Sequence, residues 1–141
     1  MTVDTPPGYE PLFRSSPFTD LLGPIYSRKD AEGFTLGVRV AEKHCNARGL
    51  AHGGLLVTLA DIALGYRMAF SQEPPISLTT ANLSADFSGA AKLGDWIEVA
   101  VDIQHVGSRV AFANAYLRAG GKRIARISGV FANNGQRLEK S

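Results

Sequence analysis

Residues 46–65 read NARGLAHGGLLVTLADIALG. From about His52 to Phe70 the positions Leu55, Leu56, Leu59, Ile62, Ala63, Tyr66 and Phe70 recur at three- and four-residue spacing, which predicts an α-helix. Val57, Ala60, Leu64 and Met68 fill much of the other side. A helix apolar nearly all round is expected to be buried nearly all round. In so short a chain this places one central helix inside a wrapping of other elements. Asp61 is the only ionisable side chain between Gly53 and Gly65. A charge on such a surface is costly unless it is paired, hydrated or used. Asp61 is therefore the first candidate for function.

Downstream of this helix the period changes to two. Ser71 to Pro75 breaks the helix, and Ile76 to Phe87 is a long extended stretch. After a turn at 90–94, Ile97, Val99, Val101 and Ile103 alternate with Glu98, Ala100, Asp102 and Gln104, the signature of a strand from Trp96 to Val106. Gly107-Ser108 turns the chain into a strand from Val110 to Arg118, and Gly120-Gly121 is a hairpin signal before a last strand, Ile124 to Ala132. Upstream, residues 43–51 show no period and read as a loop. Ile25–Arg28 and Phe34–Val40 read as two strands, and Ser16–Leu22 as a short helix capped by Ser16 or Thr19 and stopped at Gly23-Pro24. Residues 1–15, rich in proline, are expected to form a mobile arm, residues 16–134 a single domain, and residues 135–141 a polar tail. The fold class is α+β, a long central helix wrapped by a curved antiparallel β-sheet.

Composition narrows the function. A length of 141 residues suits one domain with its own core. A net charge of +2 gives no footing for nucleic acid. Cys45 is the single cysteine, so no intrachain disulfide forms and a reducing compartment is the default. The N-terminus lacks a basic stretch followed by an apolar one, and no apolar run is long enough to cross a membrane, so a cytoplasmic protein is expected. His44 and Cys45 are neighbours, but no further His or Cys recurs at ligand spacing, which argues against a metal.

The chemistry concentrates at the helix start. The first N–H groups of a helix lack internal partners and carry partial positive charge. Gly53 and Gly54 let a ligand approach these groups closely. A carbonyl oxygen seated there would be polarised, and an oxyanion developing on it stabilised. The glycines equally suit a sharp loop-to-helix turn. Asp61 lies about two and a half turns further along and cannot easily reach the start of its own helix. If two such helices run antiparallel across a two-fold axis, Asp61 of one approaches Gly53 of the other. Otherwise Asp61 is a buried carboxylate bonded to backbone or to an arginine. His52 fits a general base or a residue that orients the loop. Asn46 fits a turn former or an amide that holds water or a carbonyl.

Together, Asn46-x5-His52-Gly53-Gly54-x6-Asp61-x3-Gly65 resembles the hotdog-fold thioesterases, and within them the phenylacetate-degradation type of acyl-CoA thioesterase. TTANLSADFSGAAKLGD (79–95), HVGSRVAFANAYLR (105–118) and the strand at 124–132 extend the likeness to residues 17–133. The resemblance implies a hotdog fold, hydrolysis of an acyl-CoA thioester without a cofactor, and roles for particular residues. Gly53 would polarise the carbonyl through its backbone N–H, with Gly54 beside it. Asp61 would act across a dimer interface as nucleophile or general base. Asn46 would position water or thioester, and His52 would orient the loop. Thr80, or Thr79 one register away, matches a hydroxyl at the start of the next strand that holds the water or bonds to Asp61. An acidic residue is common in the family two positions later, where this chain has Asn82.

CoA phosphates need cations, and Arg109, Lys122, Arg123 and Arg126 near the late hairpins are the candidates. Each also fits a solvated surface charge. Phe13, Phe18, Leu21 and Leu22, or Leu64 and Met68, could line an acyl pocket or simply belong to the core. A homodimer is expected because a single sheet around one helix leaves an edge open, and the resemblance implies a homotetramer. Two other readings of the same pattern are a hotdog-fold dehydratase or hydratase acting on an acyl thioester, and a non-catalytic acyl-CoA-binding protein.

Overall fold

In the computed structural model, which describes residues 4–138, one seven-stranded sheet curls around one long helix. The elements are β1 (Glu10–Pro11), α1 (Pro17–Leu22), β2 (Tyr26–Asp30), β3 (Gly33–Arg39), a 3-10 turn (Glu42–His44), α2 (Gly53–Ala69), β4 (Ile76–Phe87), β5 (Trp96–Val106), β6 (Val110–Ala119) and β7 (Lys122–Arg137). The strand order is β1-β2-β3-β5-β6-β7-β4, and every pairing is antiparallel. β4 follows the helix but pairs with the last strand, so it closes one side of the sheet and forms its edge.

Alternation decides which face is inside. Ile97, Val99 and Val101 of β5, Ala113, Ala115 and Leu117 of β6, and Ala125 and Ile127 of β7 are buried against α2. The small alanines of β6 let α2 approach the sheet, and Leu59 and Leu64 of the helix are wholly enclosed. Leu64 and Met68 are therefore core, not pocket wall. Truncating Leu59 to Ala would cost about 2–5 kcal/mol.

The helix is not buried all round. Gly54, Val57, Thr58, Asp61, Ile62, Gly65 and Tyr66 keep partial or full exposure, and their spacing makes them one stripe along α2. This stripe carries Asp61.

Ser16 caps α1 with a reciprocal pair of bonds to Thr19, and Pro17 takes the first helical position, where its missing N–H costs nothing. The arm expected to be mobile is anchored instead. Glu10–Pro11 pairs with β2, Tyr9 is buried, and Phe13 meets Phe34, Tyr66 and Phe70 ring to ring. The physical reason is the aromatic content of the arm, which its prolines obscured. β7 runs to Arg137, into the segment expected to be tail, while residues 139–141 lie outside the described residues. No helix among the described residues is long and apolar enough to cross a membrane.

Candidate active site

The loop before α2 is built around Asn46. Its side-chain Oδ1 accepts the backbone N–H groups of Arg48 at 2.9 Å and Leu50 at 3.2 Å, and its backbone N–H donates to Leu50 O at 2.7 Å. Asn46 thus forms the turn, and Gly49, at φ +76°, completes it. Because Oδ1 is fixed by two donors, the amide NH2 is fixed too, and it donates to nothing among the described residues.

His52 is the N-cap of α2. Its Nδ1 accepts the Gly54 N–H at 2.9 Å, so the proton of the neutral ring sits on Nε2. In this arrangement His52 offers a donor rather than a base. It also consumes the Gly54 N–H, which removes Gly54 as a donor to a ligand. The Gly53 N–H has no acceptor among the described residues and stands at the positive end of a seventeen-residue helix. Phe87 covers it from the side, 3.5 Å from where a Cβ would be.

Two turns along, the Thr80 hydroxyl donates to Asp61 Oδ1 at 2.6 Å. Thr80 lies opposite Phe131 in the β4–β7 ladder, next to a register shift between Thr80 and Asn82. Thr79 points elsewhere and shares bonds with Asn134 on β7. The structure thus brings Thr80, not Thr79, to Asp61. A cleft of about 260 Å³ opens from this pair, walled by Ser16, Phe18 and Thr19 at α1, by Ile62, Gly65, Tyr66 and Ala69 of α2, and by Ile76, Leu78 and Phe131 of the sheet. A larger cleft of about 730 Å³ lies between the arm, β2 and β3; of the candidate residues only the acyl-pocket candidate Phe13 lines it, and none of the proposed catalytic residues does.

The proposed phosphate cations stand apart from this pair. Arg126 faces the outer side of the sheet, where Asp86 holds it at 2.7 Å and pushes its pKa up through hydrogen bond and charge. Arg123 lies 4.2 Å over the Tyr116 ring. Arg109 and Lys122 are exposed at the turns on either side of β6. No group of three or more His, Cys, Asp or Glu that could hold a metal occurs among the described residues.

One residue was missed by the sequence reading. His44, 3 % exposed, accepts the Ala41 N–H on Nδ1 at 2.9 Å and donates from Nε2 to Leu22 O at 2.6 Å. Its backbone carbonyl accepts the His52 N–H at 2.9 Å. It therefore ties the end of α1 to the start of α2. A histidine in an aperiodic loop carries no sequence signal for such a role.

The profile of the thioesterase superfamily matches residues 48–125, more than half of the chain. A Pseudomonas aeruginosa protein provisionally named an esterase is 52% identical over 130 residues, 92% of this chain and 97% of its own length. Human acyl-coenzyme A thioesterase 13 is 31% identical over 114 residues, 77% of this chain and 79% of that one. The phenylacetic acid degradation protein PaaI of Escherichia coli shares the fold, with a TM-score of 0.77 over 86% of this chain and 88% of that chain at 18% identity. Like these, the chain has the long helix in a curved sheet that defines a hotdog fold, and it belongs to the thioesterase superfamily, a family of thioester hydrolases.

Proposed function

We propose that this chain hydrolyses an acyl-CoA thioester to a carboxylic acid and CoA in a site made by two copies. The observation that carries the reading is the 2.6 Å bond from Thr80 to Asp61, which holds one carboxylate oxygen and leaves the other for chemistry. The similarity to an acyl-coenzyme A thioesterase supports the substrate class.

Eight residues of helix put Gly53 and Asp61 about 12 Å apart along one axis. A single chain therefore holds two half-sites. β4 offers its open edge beside both of them, and pairing two β4 edges across a two-fold axis sets the α2 helices antiparallel. Gly53 of one copy then meets Asp61 of the partner subunit. A tetramer of two such dimers follows from the family resemblance.

In this site the Gly53 N–H and the helix dipole polarise the thioester carbonyl. The Asp61 carboxylate takes a proton from water as water attacks the carbonyl carbon, or attacks that carbon itself and is later released by water. The oxyanion collapses, the C–S bond breaks, and the thiolate leaves and is protonated. In the first route water supplies the acid's new oxygen; in the second, water attacks either carbonyl of the anhydride, so the new oxygen comes from water directly or from Asp61, whose carboxylate water then restores. In this reading the Asn46 NH2, which donates to nothing among the described residues, holds that water or the thioester. Release of free thiol from a panel of acyl-CoAs tests the reading. Asp61→Asn is expected to lower kcat by about 10²–10⁴ with dimer and fold intact. Thiol release indifferent to Asp61 would refute it.

A further inference from the structure

Gly65 stands one turn beyond Asp61 on α2, so the two share a face, and both line the cleft that opens from the Asp61–Thr80 pair. A glycine in a helix interior is destabilising relative to alanine. Its backbone gives no reason for it, since Gly65 is not among the positive-φ glycines. Crowding gives none either. A Cβ at Gly65 would meet the Phe131 ring at 3.4 Å and 4.0 Å, ordinary contact distances. Gly129 is different, for a Cβ there would come within 2.8 Å of Leu64 and 2.9 Å of Phe131. Packing thus dictates Gly129 and leaves Gly65 unexplained.

What a side chain at Gly65 would occupy is the cleft, against Phe131 and on the helix face that carries Asp61. We infer that Gly65 is a specificity-determining residue, whose missing side chain keeps room for an apolar acyl group next to the reacting carboxylate. This rests on the thioesterase reading and names the acyl class. The cleft walls are Phe18, Ile62, Tyr66, Ala69 and Phe131, and its volume is about 260 Å³. A cavity of about 150 Å³ accepts benzene. The cleft therefore has room for one aromatic ring or a chain of about six to eight carbons.

The test is the acyl profile of the wild type, Gly65→Ala and Gly65→Met, as kcat/KM on acetyl-, hexanoyl-, phenylacetyl- and palmitoyl-CoA, with melting temperature and light scattering alongside. The wild type is expected to prefer the hexanoyl and phenylacetyl esters. Gly65→Ala is expected to melt no lower than wild type and to lose about tenfold or more on those two esters through KM, with acetyl-CoA held within about twofold. Gly65→Met is expected to deepen the same loss. An active wild type whose profile neither variant moves, a uniform loss on all four esters, or dissociation of Gly65→Ala into monomers would overturn the inference. A wild type that releases thiol from none of the four would instead overturn the hydrolase reading on which it rests.

Discussion

At one edge of the sheet stands β1, two residues long, one of them a proline without an N–H to offer. The arm around it is clamped to the outer face. Tyr9 packs edge-on against Trp96 with ring centres 5.0 Å apart, its hydroxyl donates to Glu98 at 3.1 Å, and Arg39 holds the Asp4 carbonyl at 2.7 Å. At the other edge stands β4, twelve residues long, paired on one side only, with neither proline nor lysine along it. Phe87 at its end is 51% exposed. Proteins blunt a free edge by shortening it, charging it or covering it. The β1 edge uses two of these devices, whereas β4 is long and uncovered and carries a single charge, Asp86, paired with Arg126. The difference supports the proposal that β4 is the edge that receives a second copy, and Asp61, Thr80 and Gly53 all lie at or beside it.

The largest expected effect at the β4 edge is loss of the carboxylate, already given for Asp61→Asn, against which Glu98→Gln near the β1 edge should leave thiol release within about twofold. Next comes the oxyanion donor. Gly53→Pro deletes one N–H at a position where proline suits a helix, and His52 before it already has φ −62° and ψ 139°, the backbone that a residue before proline prefers. A fall of about 10²–10³ in kcat is expected with the helix content unchanged by circular dichroism. Thr80→Val removes the bond to Asp61 and should cost about ten- to a hundredfold in kcat, with Thr80→Ser recovering most of it.

A smaller effect separates the edges directly. The pair Asn82→Lys and Ser84→Lys puts like charges on facing copies of β4, and the dimer should weaken on the order of tenfold by sedimentation. Glu10→Lys on β1 should leave the dimer unchanged. The smallest effect belongs to the clamped edge alone. Burial, then the Glu98 charge, pushes the Tyr9 pKa up to about 12 from 10.0. The fold therefore favours the neutral phenol. Its contribution to stability is complete below pH 10 and is lost as pH rises towards 12. Chemical denaturation across that range should show an alkaline decline that Tyr9→Phe flattens, with no change in catalysis at neutral pH.

The long helix and the odd carboxylate on it were legible because both are local patterns. The period of 3.6 from Leu55 to Phe70 needs no tertiary knowledge, nor does the Ser16 cap. The partial exposure of the Asp61 stripe was not legible, because side chains such as Val57 and Ile62 are as apolar as the buried Leu55 and Leu59. What exposes them is the placement of β4 beside β7 at the far end of the chain, a non-local choice. The Thr80–Asp61 bond has the same origin. Spacing alone could not join two residues on different elements, and the family resemblance supplied that match. Arg126 shows a second non-local choice. Its charge suggested a ligand, but strand register puts it opposite Asp86 on the outer face. The clamped arm was hidden because Pro6, Pro7 and Pro11 dominate its composition while Tyr9 and Phe13 hold it in place.

Complementation tests the shared site most directly. Asp61→Asn and Gly53→Pro are each expected to be inactive as homodimers. Co-expressed with different tags and purified through both, they form a heterodimer in which one site joins an intact Gly53 to an intact Asp61 and the other joins both lesions. About half of the wild-type activity per dimer is expected from that species if each site spans two copies. Activity no higher than that of the two parents would place Gly53 and Asp61 of one chain in the same site and contradict a site shared across the β4 edge.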